Sequence, residues 1–144
     1  GALSLCSGRT KGGLNSKLHA VCDGEGRPLI LLLTEGNRSD FVGAALVFNS
    51  LPNARHMIAD RGYDADWFRE GLKERGIEPC IPPKSNRSDL IEYDTKLYKK
   101  RHKIENFFAR IKDWRRICMR YDRCAHTFFS AICIAATVAC WINQ

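Results

Sequence analysis

Between Leu14 and Pro83 the sequence switches repeatedly between strand and helix periods, and the order of those switches leaves few topologies open. From Leu14 to Val21 the side chains alternate, with Leu14, Ser16, Leu18 and Ala20 set against Asn15, Lys17 and His19, the period of a half-buried strand. Asp23-Gly24-Glu25-Gly26-Arg27-Pro28 supplies turn chemistry, and Leu29–Leu33 is a second strand, so the two form a β-hairpin. Ser39 and Asp40 then offer caps to a helix reaching about Ser50, with Phe41, Ala44, Ala45, Val47 and Phe48 on its apolar side. A short strand at His56–Asp60, a helix over Asp64–Arg75 closed by Gly76, and a strand at Ile77–Ile81 stopped by Pro82-Pro83 complete the run. Hairpin, helix, strand, helix, strand requires crossover connections and at least two parallel strands in a mixed sheet.

Beyond Pro83 the pattern becomes helical. Lys84–Asp94 reads as a polar linker, and Asp94 or Thr95 caps a long helix predicted from about Lys96 to Trp114, whose apolar side carries Leu97, Ile104, Phe107, Phe108, Ile111 and Trp114. A loop through Arg120–Ala125 leads to an apolar run, Phe128–Ile142, too short to span a bilayer comfortably and suited to a buried closing helix. At the other end, Gly8-Arg9-Thr10-Lys11-Gly12-Gly13 reads as an exposed basic loop, so residues 1–13 are expected to lie outside the sheet. The opening residues lack the charged and apolar pattern of a secretory signal. At 144 residues and 16.4 kDa the expectation is one domain. Its seven cysteines are odd in number and contain no CxxC pair, which suits reduced thiols in a cytosolic protein, and the four histidines are scattered singly, away from zinc-ligand spacing.

Charge narrows the class of partner. The chain carries a formal net charge of +7, and all of the excess falls in residues 84–124, because residues 1–83 hold ten basic and ten acidic side chains and residues 125–144 hold none. Localised positive charge is the footprint expected of nucleic-acid binding; a solvated basic helix face is the other reading.

Two groups of residues carry chemistry. Asp60 stands at the carboxyl end of a predicted strand and is followed by Arg61-Gly62-Tyr63-Asp64. Ligands of open α/β sheets bind at that end, so Asp60 is a candidate metal ligand, with an Asx-turn or helix cap as the alternative. On the long helix, Tyr98, Arg101, Glu105 and Lys112 fall within roughly 60° of one another and form a polar stripe. Arg, Lys and Tyr suit phosphate contact, whereas Glu105 would repel phosphate unless a divalent cation lay between them. The alternative is an ordinary Arg101–Glu105 pair at i,i+4.

The run Tyr98-x-x-Arg101-x-x-x-Glu105-x-x-x-x-x-x-Lys112 resembles the Y-R-E-K signature of DDE transposases from bacterial insertion sequences, in the branch usually numbered four and five. Gly8-Arg9-Thr10-Lys11-Gly12-Gly13-Leu14, Lys17-Leu18-His19-Ala20, Ala59-Asp60-Arg61-Gly62-Tyr63-Asp64 and Arg115-Arg116-Ile117 to Arg120-Tyr121-Asp122 resemble that family's other landmarks, in its order. The resemblance implies an α/β, ribonuclease-H-like mixed sheet flanked by helices. It implies a site in which three carboxylates bind two Mg²⁺ (or Mn²⁺) ions for DNA strand cleavage and strand transfer, with transposon terminal inverted repeats and target DNA as partners. By position, Asp60 and Glu105 are the catalytic, metal-binding carboxylates, and Tyr98, Arg101, Lys112, Arg115 and Arg116 contact DNA. A cytoplasmic, nucleoid-associated bacterial protein follows from the same resemblance.

The family's first aspartate lies on the first core strand, upstream of the Gly-Arg-Lys-Gly-Gly segment, and only seven residues, none acidic, precede Gly8. The sequence therefore predicts a C-terminal catalytic portion lacking its first strand and inactive alone. Asp23 belongs to the hairpin turn and Asp40 to a helix cap, so neither is a natural replacement. An unpaired strand at Leu14–Val21 would favour self-association, giving a homodimer. A non-catalytic DNA-binding module and a purely structural domain are the competing classes. Asp60 and Glu105 carboxylates about 4–6 Å apart would fit shared metals, and opposite faces of the sheet would not.

Overall fold

A computed structural model of the protein describes residues 1–9, 16–35, 39–112 and 132–142. Five strands form one sheet: β1 (Ala2–Arg9), β2 (Ser16–Cys22), β3 (Pro28–Glu35), β4 (His56–Ala59) and β5 (Glu78–Cys80), in the order β3-β2-β1-β4-β5. β1, β2 and β3 are antiparallel neighbours, and β4 and β5 run parallel to β1. The crossovers are α1 (Asp40–Phe48) and α2 (Asp66–Glu74), as the hairpin-helix-strand order requires.

The predicted hairpin is β2–β3, with Asp23 accepting bonds from the backbone N–H groups of Glu25 and Arg27, each at 2.9 Å, and pairing with the Arg27 side chain. Gly76, at φ +73°, ends α2 in a left-handed conformation that favours glycine. The long helix divides into α3 (Thr95–Tyr98), a tight turn at Lys99–Arg101 and α4 (His102–Lys112). Asp94 caps it, its carboxylate accepting from the N–H groups of Lys96 and Leu97 at 3.0 Å. Residues 132–142 are helical, so the described part of the expected closing helix is present; the Arg120–Ala125 loop, Trp114 and residues 10–15 lie outside the described residues. No described helix is long and apolar enough to cross a membrane.

The expected loss of the first strand is overturned. Ala2–Arg9 is a strand, not the start of a loop, and it fills the centre of the sheet between β2 and β4. Its two-residue period supplies both faces: Leu3 and Leu5 enter the cluster under α1 and α2, and Cys6 enters the cluster under α4 and residues 132–142. β2 is therefore paired on both sides, and the reason given for dimerisation through it disappears.

Helix α4 is positioned by its apolar face, where Ile104, Phe107 and Ile111 are buried with Leu18, Ala20 and Ile132. Gly8 admits the ring of Phe108, which would lie 3.3 Å from an added Cβ. That close approach sets α4 against the carboxyl end of β1.

Candidate active site

Asp60 is the first residue beyond β4. Its carbonyl accepts the Tyr63 N–H at 2.9 Å, opening a short turn over Arg61–Tyr63, but its carboxylate makes no capping bond. Instead Oδ1 lies 2.5 Å from Nε of Arg101, and Oδ2 accepts from the Cys6 thiol at 3.4 Å. The sheet register explains the second contact, because Leu5 pairs with Ala59 and so Cys6 stands beside Asp60.

Arg101 occupies the turn between α3 and α4, and its Nη1 donates to Oε1 of Glu105 at 2.8 Å. Its Nη2 faces the Cys6 sulfur at 3.9 Å, and the guanidinium lies 5.9 Å from the Tyr98 ring centre. Nε is buried without a hydrogen-bond partner, so its approach to Asp60 is an ion pair rather than an aligned hydrogen bond. The i,i+4 pair expected on a free helix is therefore one half of a bridge that ties Glu105 on α4 to Asp60 on the sheet. Glu105 is 55 % exposed, whereas Asp60 and Arg101 are each 26 % exposed, so the arrangement opens to solvent on the Glu105 side. Burial, reinforced by the Asp60 charge, pushes the Cys6 thiol up to about 12.

Asp60, Tyr98 and Glu105 thus gather around the Arg101 guanidinium. Lys112 is the last residue of α4, and Arg115 and Arg116 lie outside the described residues. Arg101, expected on the DNA backbone, is turned inward to the two carboxylates.

The described residues around Asp60 do not fit a pair of Mg²⁺ ions. Such ions require hard oxygen donors and sufficient negative charge. Here two carboxylates share one guanidinium, and the position beside Asp60 on β1 is a thiol, a poor ligand for hard cations. Among the described residues no three His, Cys, Asp or Glu side chains are arranged to hold a metal ion.

Two further networks were not legible as such in the sequence. Asp40 does not cap α1; its carboxylate accepts from Ser7 at 2.7 Å and Lys17 at 3.3 Å and lies against Gly62, where any side chain would collide with it. Beside it, buried His19 bridges the Tyr63 hydroxyl, at 3.3 Å, and the Thr34 hydroxyl, at 2.9 Å, and burial lowers its pKa. These contacts grip the turn that follows Asp60. Asp64, fully buried, accepts from Arg69 at 2.7 Å and from the Lys84 N–H at 2.6 Å, and from Arg87 at 2.9 and 3.1 Å. Burial alone would raise its pKa, but these donors outweigh that and hold it well below the usual carboxylate range. Asp64 thereby anchors the 84–94 segment that leads to α3. An acidic residue at the start of a helix is an ordinary cap signal, so nothing local marked Asp40 or Asp64 as tertiary anchors.

The family described as Transposase DDE domain matches residues 6–139. The chain is 35 % identical over 132 residues to a protein of Brucella ovis named as transposase for insertion sequence element IS6501, covering 90 % of this chain and all of that one. It is 30 % identical over 137 residues to a Burkholderia cepacia protein named as transposase for insertion sequence element IS402, covering 88 % of this chain and 63 % of that one. Among solved structures, a chain of the simian T-cell lymphotropic virus intasome in complex with PP2A regulatory subunit B56 gamma superposes with a TM-score of 0.62 at 11 % identity, over 99 % of this chain and 49 % of that chain. The catalytic core domain of BIV integrase gives a TM-score of 0.59 at 11 % identity, over 95 % of this chain and 81 % of that chain. At that identity the likeness concerns the fold, which is ribonuclease-H-like.

Proposed function

The chain belongs to the transposase DDE domain family, and on that premise we propose that it is the DNA-handling part of a bacterial insertion-sequence transposase of the Y-R-E-K branch. Its substrates are the terminal inverted repeats of an element and the target DNA, met in the cytoplasm at the nucleoid. The observation that carries this reading is the bridge through Arg101, which gathers Asp60 and Glu105 at the carboxyl ends of the central strands. The basic excess of residues 84–124 supports it, because it is centred on the helix that presents Glu105.

In this reading the phosphate backbone is held by Tyr98, Lys112, Arg115 and Arg116, with Arg101 committed to the carboxylates in the free chain. The family's reaction is phosphodiester hydrolysis followed by attack of the freed 3′-hydroxyl on target DNA. Among the described residues the donor set beside Asp60 does not supply a third carboxylate, so this chain binds DNA and is a poor or inactive nuclease by itself. A labelled terminal-repeat duplex incubated with the chain and Mg²⁺ or Mn²⁺ tests both halves. The duplex should be retarded on a native gel and remain intact. Cleavage that disappears in Glu105→Gln would overturn the inactivity, and absence of retardation at about 50 mM salt would overturn the DNA-handling role.

A further inference from the structure

We infer that the guanidinium of Arg101 is the resident cation of this site, and that Cys6 is the residue whose identity excludes a divalent ion from it. The inference rests on reading Asp60 and Glu105 as the family's carboxylates, and it deepens that reading. Arg101 reaches three groups at once: Asp60 at 2.5 Å, Glu105 at 2.8 Å and the Cys6 sulfur at 3.9 Å. It therefore stands where an ion shared by the same three positions would have to sit. A guanidinium keeps its charge at every accessible pH, so a divalent ion could enter only by displacing it.

The local charge balance decides the competition. Two carboxylates against one guanidinium leave one net negative charge, too little to hold a hard dication in place of Arg101. Cys6 contributes no oxygen ligand. It is nonetheless in the right place to do so, because it lies beside Asp60 on the neighbouring parallel strand, and adjacent strands are about 4.7–4.9 Å apart. A carboxylate at that position would add an oxygen donor and a second net charge within reach of the same ion. One side chain separates a site held by arginine from a site able to take metal.

Mn²⁺ binding to the full 144-residue chain, read from the electron paramagnetic resonance signal of free Mn²⁺ and without DNA, tests this directly. The wild-type chain and Asp60→Asn should bind the ion equally weakly. Cys6→Asp should bind at least roughly tenfold more tightly, and adding Glu105→Gln should remove the gain. Wild-type binding that falls on Asp60→Asn would overturn the inference, as would a folded Cys6→Asp chain, checked by far-ultraviolet circular dichroism, that binds no more tightly than wild type. If Cys6→Asp does not fold, the comparison of wild type with Asp60→Asn decides alone. Duplex binding is measured separately: if DNA binds and wild-type Mn²⁺ binding depends on Asp60, this inference fails and the DNA-handling role stands. If DNA does not bind and the Mn²⁺ results are as expected, the reverse holds.

Discussion

Asp64 shows how much one carboxylate can organise. Its side chain is fully buried and joins α2, through Arg69, to the 84–87 segment, through Lys84 and Arg87. Replacing it by asparagine leaves the Arg69 guanidinium, itself nearly buried, without its ionic partner. The expected loss is about 3–5 kcal/mol at neutral pH, measured by urea unfolding. The pH dependence follows from the direction of the shift. A carboxylate whose folded pKa is depressed stabilises the protein above its unfolded pKa, near 4, and loses that contribution progressively as pH falls below it. The gap between wild type and Asp64→Asn should therefore narrow between about pH 5 and pH 3. A gap of constant size would show that the buried carboxylate is not the source of the acid sensitivity.

At the scale of elements, the site depends on where α4 rests. Phe107 is buried at 1 % exposure between α4 and the sheet, two residues from Glu105. Phe107→Ala should cost about 3–5 kcal/mol in a urea titration and should loosen the Glu105–Arg101–Asp60 bridge along with the helix. The strands, crossovers and capping of the Glu105 helix were legible locally, because hydrophobic period, turn residues and Asp94 all act within a few positions. β1 was not. Leu3 and Leu5 alternate with Ser4 and Cys6, but so short a run acquires meaning only through its pairing with β2 and β4, and that register is a long-range property. The same register made Cys6 a neighbour of Asp60, a relation between positions 54 residues apart that no spacing rule contains. Tyr98, Arg101 and Glu105 were legible as a stripe; the inward turn of Arg101 depended on finding Asp60 opposite it.

For the molecule as a whole, charge and topology converge. The sheet sets Asp60 at the carboxyl end of β4, and the segment that brings Glu105 towards it through Arg101 also holds the entire basic excess of a chain charged +7. A protein that neutralises DNA phosphates releases counterions, so its affinity falls as salt rises, with a slope of about −0.9 per phosphate contacted. A solvated basic face with no such partner would show neither the affinity nor the slope. The direct measurement is fluorescence anisotropy of a labelled terminal-repeat duplex titrated with the wild-type chain across a salt series. The account predicts binding that weakens by at least roughly tenfold between about 50 and 200 mM salt, corresponding to two or more phosphate contacts. No binding at the lowest salt, or binding indifferent to salt, would contradict it.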